Sequence, residues 1–242
     1  MRYAQNDLDM NLRSLLLALC LAVPFVSEAQ SPQDSESFHF SCVAWENLPF
    51  PELYYREGKV MLPIKLAPGN RSEIYRLQGE TALELYVLKT DSQGKPNYEI
   101  VGRGALLPET KRMLFLLSET KATNGLPLAL FGLDDSLKTF PPGTFRFINF
   151  TPYTLKAVFG GSTTTLPPKE VQVVKSNISQ SGGFLPFLVS NNAGDTVFET
   201  RLYAQPTGRE MVFITPVSDL QASRVAVKFI SQIITPPAPT NQ

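Results

Sequence analysis

Histidine and cysteine are almost missing from this sequence: His39 is the one imidazole in 242 residues, and the thiols are Cys20 and Cys42. The shortage excludes most metal centres, which draw on several such ligands, and most Ser/His or Cys/His nucleophilic pairs. His39 and Cys42 stand three apart in a run of strand character, where alternation puts them on opposite faces. An ordinary strand histidine and a small buried cysteine are expected. Net charge is missing too, since 22 basic residues balance 22 acidic ones. Nothing global draws the chain to nucleic acid or anionic lipid. Gly160-Gly161-Ser162 and Ser181-Gly182-Gly183 lack the lysine and strand-to-helix context of a phosphate loop and read as turns. No convincing helix of ten residues is found.

The longest apolar stretch lies near the N-terminus. Arg13, then the run Ser14 to Val23, then Pro24 and Ser27-Glu28-Ala29, have the flank, core and small residues of a secretory signal peptide cut after Ala29. The run is short for a bilayer span, and no later segment approaches the roughly twenty apolar residues a span needs. The signal works equally well from Met1 or Met10. Leu19 before Cys20, with apolar residues continuing to Val26, disfavours acylation of Cys20. Removal of the signal leaves Cys42 alone, so no internal disulfide is expected. Residues 30–36 read as a flexible leader, and the proline-rich residues 235–242 as a disordered tail without an anchor.

Between these ends, short alternating apolar runs are separated by Gly, Pro, Asn and Asp, the signature of strands and turns. Eight such runs precede Asp134 and eight follow Thr144. Phe140-Pro141-Pro142-Gly143 divides them, because neither proline donates to a ladder. Phe38-His39-Phe40 matches Phe145-Arg146-Phe147, Leu53 to Gly58 matches Leu155 to Gly160, and the turn at Asp91–Gly94 matches the turn at Asn191–Gly194. Pro108 precedes Met113 as Pro206 precedes Met211. The expected architecture is therefore all-β: a duplicated unit forming two tandem antiparallel immunoglobulin-like β-sandwich domains. Residues 37–136 form domain 1, 137–142 a proline linker and 143–234 domain 2. Thr144 to Phe150 is apolar on both faces, which places it centrally or in the domain interface.

The pattern Asp134 to Leu137, Phe140 to Gly143, Phe145-Arg146-Phe147, Asn149 and Thr151-Pro152, then Gly160-Gly161 and Leu166-Pro167-Pro168, resembles a group of uncharacterised exported bacterial proteins. More distantly it is similar to immunoglobulin-like extracellular repeats of unknown function. The likeness is clearest over residues 134–174. It implies export and a β-sandwich and transfers no site.

The chemistry expected is correspondingly sparse: no catalytic residue, no cofactor and no metal. Asp134 and Asp135 are adjacent, but glycoside hydrolysis needs two carboxyls across a cleft and Ca²⁺ needs a denser set of oxygens; a local turn or cap near Leu137 to Thr139 is expected. Asn70, Asn149 and Asn177 head glycosylation triplets. Trp45, Phe50, Tyr54 and Tyr55, beside Pro49 and Pro51, are the candidate binding residues, since flat rings stack on sugars or pack on a protein. The expected function is that of a non-catalytic exported protein of the bacterial envelope or extracellular space, binding a protein or polysaccharide surface. The alternative is a carboxylate-dependent hydrolase of an extracellular polymer.

Overall fold

The computed structural model describes residues 37–120, 125–176, 181–217 and 224–234. The expected signal peptide, leader and tail, with Cys20 and Asn177, lie outside them. The described residues are all-β, without a helix, and none is therefore long and apolar enough to cross a membrane. Sixteen strands stand where the alternating runs place them, to within a few residues at each end.

The first eight are β1 Ser37–Ala44, β2 Leu53–Glu57, β3 Val60–Ile64, β4 Tyr75–Gln78, β5 Ala82–Thr90, β6 Pro96–Ala105, β7 Arg112–Glu119 and β8 Leu128–Asp134. They form one mixed sheet in the order β3-β2-β5-β6-β8-β7-β1-β4. The second eight are β9 Thr144–Asn149, β10 Leu155–Phe159, β11 Ser162–Leu166, β12 Val171–Lys175, β13 Gly183–Ser190, β14 Thr196–Ala204, β15 Gly208–Pro216 and β16 Val225–Ile233. They form two sheets, β11-β10-β13-β14 and β12-β9-β15-β16. Each strand of the second half occupies the place of the strand eight earlier. Among the described residues the one difference in order is that β6 pairs with β8, whereas β14 and β16 are not paired; the position matching Leu128 lies outside those residues.

The expectation of two antiparallel sandwiches is corrected in two respects. β1 runs parallel to β7, β9 parallel to β15, and β6 parallel to β8, so the sheets are mixed. The first half is one continuous sheet rather than two stacked ones. Alternation reports which faces of a strand are covered and is blind to the direction of a partner far along the chain.

Register also corrects one match between the halves. β1 sets Phe40 opposite Met113, and β9 sets Phe147 opposite Val212, so Met113 corresponds to Val212 and not to Met211. A one-residue slip turns a side chain to the other face. Met113 accordingly lies in the core of the first half with Phe40 and Phe115, while Met211 faces the junction between halves.

Three apolar clusters result. One lies wholly within the first half around Phe40, Leu85 and Phe115, and one within the second around Phe147, Phe187 and Ile214. The third joins Val43, Leu114 and Leu116 to Phe140, Ile148 and Phe213. β9 is buried at every position: Phe145 and Phe147 fill the second core, while Ile148 faces the junction. Its two-sided apolar pattern thus serves a central strand and an interface at once.

Candidate functional site

The chain between the halves is anchored rather than slack. Phe140 is buried, with the guanidinium carbons of Arg146 and Arg209 at 4.3 and 4.7 Å from its ring centroid. Gly143, at φ 74°, takes the left-handed conformation that the turn into β9 requires and donates its N–H to the Gly208 carbonyl at 2.6 Å.

Asp135 is the centre of this junction. Its side chain is fully buried and accepts from Arg112 Nε at 3.0 Å, from Arg209 Nη2 at 2.9 Å and from Arg71 Nη2. Arg71 precedes β4 and Arg112 opens β7, while Arg209 belongs to β15, so the carboxylate ties the two halves together. Arg209 also donates to the carbonyls of Asp135 and Phe140 and to Gln232 Oε1. Burial lowers the Arg209 pKa to about 10, and the Asp135 charge opposes that shift. Arg146 donates to the Asp134 carbonyl at 2.6 Å, and its buried Nε has no partner. Burial lowers the pKa of this guanidinium too.

Asp134 makes the expected local turn: its Oδ1 accepts from Ser136 N–H and the Thr110 hydroxyl, both at 2.8 Å, and Ser136 Oγ receives Thr139 N–H. Asp135 faces the other way and is enclosed by cations. The two carboxyls therefore do not flank a common cleft. Among the described residues no cluster of His, Cys, Asp or Glu could hold a metal ion. His39 is exposed and Cys42 buried, on opposite faces of β1, and burial raises the Cys42 pKa well above the thiol range. Asn149 is also fully buried. Its Nδ2 donates to the Tyr153, Leu166 and Pro167 carbonyls and its Oδ1 accepts from Thr151, a latch that leaves no room for a glycan.

The four candidate aromatic residues occupy different surroundings. Trp45 is half-buried at the junction, edge-on to Phe213 at 5.2 Å and Phe150 at 6.1 Å, with Lys228 Nζ 4.9 Å from its ring centroid. Phe50 packs on the first core. Tyr55 is inside that core against Phe40 and Tyr75, while Tyr54, one residue earlier and on the other face, meets Tyr98 at 5.2 Å and donates to Glu52. Trp45 lines a recess of about 240 Å³ with Phe131 and Phe150; the structure does not gather all four rings on one surface.

The larger opening arises where the halves differ. In the first half β6 meets β8 through Gly102 opposite Leu128 and Arg103 opposite Ala129. A Cβ on Gly102 would stand 2.6 Å from Leu130 Cδ1, one on Gly104 2.7 Å from Phe115, and one on Gly132 2.4 Å from the Met113 methyl. Gly102 and Gly104 leave room for Leu128 and Leu130 of β8, and Gly132 leaves room for Met113 and Phe115 of β7. The counterparts follow from register. Tyr55 pairs with Leu85 and Leu85 with Gly102, as Ala157 pairs with Val189 and Val189 with Phe198. A bulge follows both Leu85 and Val189. By the same ladders Gly104 becomes Thr200 and Gly132 becomes Val227. Three glycines in one half are three side chains in the other, and there the seam stays open.

Below Phe198 the open seam widens into a cleft of about 410 Å³ between Thr200–Ala204 of β14, the start of β15 and the end of β16. Glu210 stands on the same face of β15 as the core residues Val212 and Ile214, so its carboxyl is turned toward the space between the sheets. It accepts from Ser231 Oγ at 2.8 Å, and burial raises its pKa. Phe184 and Tyr203, both exposed and edge-on at 5.1 Å, border the cleft. None of these residues stood out in the aromatic and motif reading. A carboxylate in the apolar phase of Glu210-Met211-Val212-Phe213-Ile214 was the available signal. No protein-family model matches the chain, and no curated protein matches it.

Proposed function

We propose that the chain is a non-catalytic protein exported from a bacterial cell, made of two copies of one eight-stranded β unit, whose second copy binds ligand in its open seam. The ligand belongs to a protein or polysaccharide surface outside the cytoplasm. One observation carries this reading: a cleft of about 410 Å³ opens between the ends of β14 and β16 and the start of β15, with Glu210, Phe184 and Tyr203 in its lining. The shared strand order and the bulge repeated after Leu85 and Val189 support descent of both halves from one unit. The apolar run after Arg13 supports export.

The cleft favours binding over hydrolysis. Among its described lining residues Glu210 is the one carboxylate, whereas glycoside hydrolysis uses two. Amide shift mapping tests the reading: solubilised cell-wall glycan and a digest of envelope protein are each titrated into the ¹⁵N-labelled chain. Shifts gathered on Thr200, Tyr203, Glu210 and Gln232 are expected. Shifts confined to Trp45, Phe50, Tyr54 and Tyr55 would place binding on the first half instead, and cleavage of the glycan by the pure chain would make it an enzyme.

A further inference from the structure

Glu210 is an acceptor with little to accept. An ionised carboxylate offers about four lone-pair sites, and the described partner is the single hydroxyl of Ser231. Its ladder neighbours are Phe145 on β9 and Ser231 on β16, and Phe229, Leu202 and Ala204 also line the cleft. The arginine beside it in sequence gives no relief, because Arg209 is engaged by Asp135, Gln232 and Phe140. Arg201 alternates outward on β14 with Tyr203, while Leu202 and Ala204 face inward. Described ion pairs include none to Glu210.

A half-buried carboxylate pays part of its desolvation cost, and a charged group entering the cleft would offset it. Burial raises its pKa, which is the mark of that cost. The complementary group has to bring positive charge, several N–H donors and a slim apolar stem able to pass between β14 and β16. Exposed Phe184 and Tyr203 border the cleft, and its volume is in the range of small-ligand sites. A neutral sugar would supply hydrogen bonds but leave the charge uncompensated.

We propose that the cleft between β14 and β16 receives an alkylammonium group, which enters past Phe184 and Tyr203 and is held by Glu210. This rests on the reading of the open seam as the ligand site and adds the chemistry of what enters it. The ammonium has two sources, a free amine or the side chain of a lysine in an extended segment of a partner protein.

The full chain, labelled with ¹³C at the glutamate side-chain carboxyls and with ¹⁵N at amides, is titrated separately with cadaverine, with a short peptide carrying one lysine, with the same peptide acetylated at that lysine, and with a neutral cell-wall oligosaccharide. Expected are shifts of the Glu210 carboxyl and of the Thr200 and Tyr203 amides with cadaverine or the lysine peptide, and none with the acetylated peptide. The response to cadaverine as against the lysine peptide names the source. Glu210→Gln, which keeps the shape, should weaken that binding about thirtyfold or more. A neutral oligosaccharide that fills the cleft equally well in Glu210→Gln overturns the ammonium assignment and leaves the seam as a ligand site. Silence of the cleft toward all four probes overturns both.

Discussion

The two halves of this protein share one strand order and differ in whether it closes. In the first, Gly102, Gly104 and Gly132 let β6 and β8 meet, and eight strands become one sheet. In the second, Phe198, Thr200 and Val227 hold the same ladder positions, Phe198 and Val227 pack into the core, and the seam remains open. The same strand order thus accommodates both arrangements, and the two differ in side chains at these three ladder positions. The closed half is occupied by its own strands, and the open half has space and a carboxylate to offer.

The difference is displayed on a rigid frame, and breaking the frame has the largest expected effect. Asp135→Asn strips the charge that Arg71, Arg112 and Arg209 share, leaving buried guanidiniums uncompensated. A loss of about 3–5 kcal/mol is expected in urea denaturation, with the transition of both halves displaced. A shift in one half alone would show that the carboxylate is not a shared tie.

Exchanging residues between halves sharpens the comparison. Cys42 and Asn149 correspond, since Phe115 and Ile214 are their ladder partners. Asn149→Cys installs the first half's residue and breaks the latch to Tyr153, Leu166 and Pro167, at an expected cost of about 2–3 kcal/mol. Gly104→Thr does the reverse, giving the first half the residue of the second. Its Cβ would crowd Phe115 at 2.7 Å and Leu130 at 3.1 Å, at a cost of about 1–3 kcal/mol and with loss of the β6–β8 amide protection. Retained protection at unchanged stability would refute the role given to that glycine.

The smallest effect has the opposite sign. The folded-state pKa of Glu210 is raised, so its contribution to stability is complete below the ordinary carboxylate pKa and is lost as pH rises through the raised value. Glu210→Gln removes that loss and should raise the melting temperature modestly at pH 7 with no gain at pH 3. A drop at pH 7 would mean that the carboxylate is structural.

Much of this was legible in the residues. Alternation marked the strands, Phe140-Pro141-Pro142-Gly143 falls between the eight-stranded sheet and the two four-stranded ones, and Phe145-Arg146-Phe147 announced a strand covered on both sides. The proline spacing misaligned Met113 with Met211 because Pro206 lies almost directly before β15, whereas a longer turn separates Pro108 from β7. Spacing counts residues and carries no information on faces. Asp135 looked like half of an acidic pair, since its arginines come from three distant segments. The aromatic cluster around Trp45 and Tyr54 looked like one surface because neighbours in sequence were read as neighbours in space, whereas Trp45 packs at the junction and Tyr54 and Tyr55 point to opposite faces of β2. The seam was hidden for a related reason: it is a property of two strands that pack through Phe198 and Phe229 without pairing, and only their counterparts show what is missing.

Residue-resolved amide hydrogen exchange tests the central contrast most directly. If the first seam is closed and the second open, the seam-facing amides of β6 and β8, around Gly102, Arg103 and Ala129, exchange far more slowly than those of β14 around Phe198 to Leu202. Equal protection on both seams, in the absence of any ligand, would contradict the account.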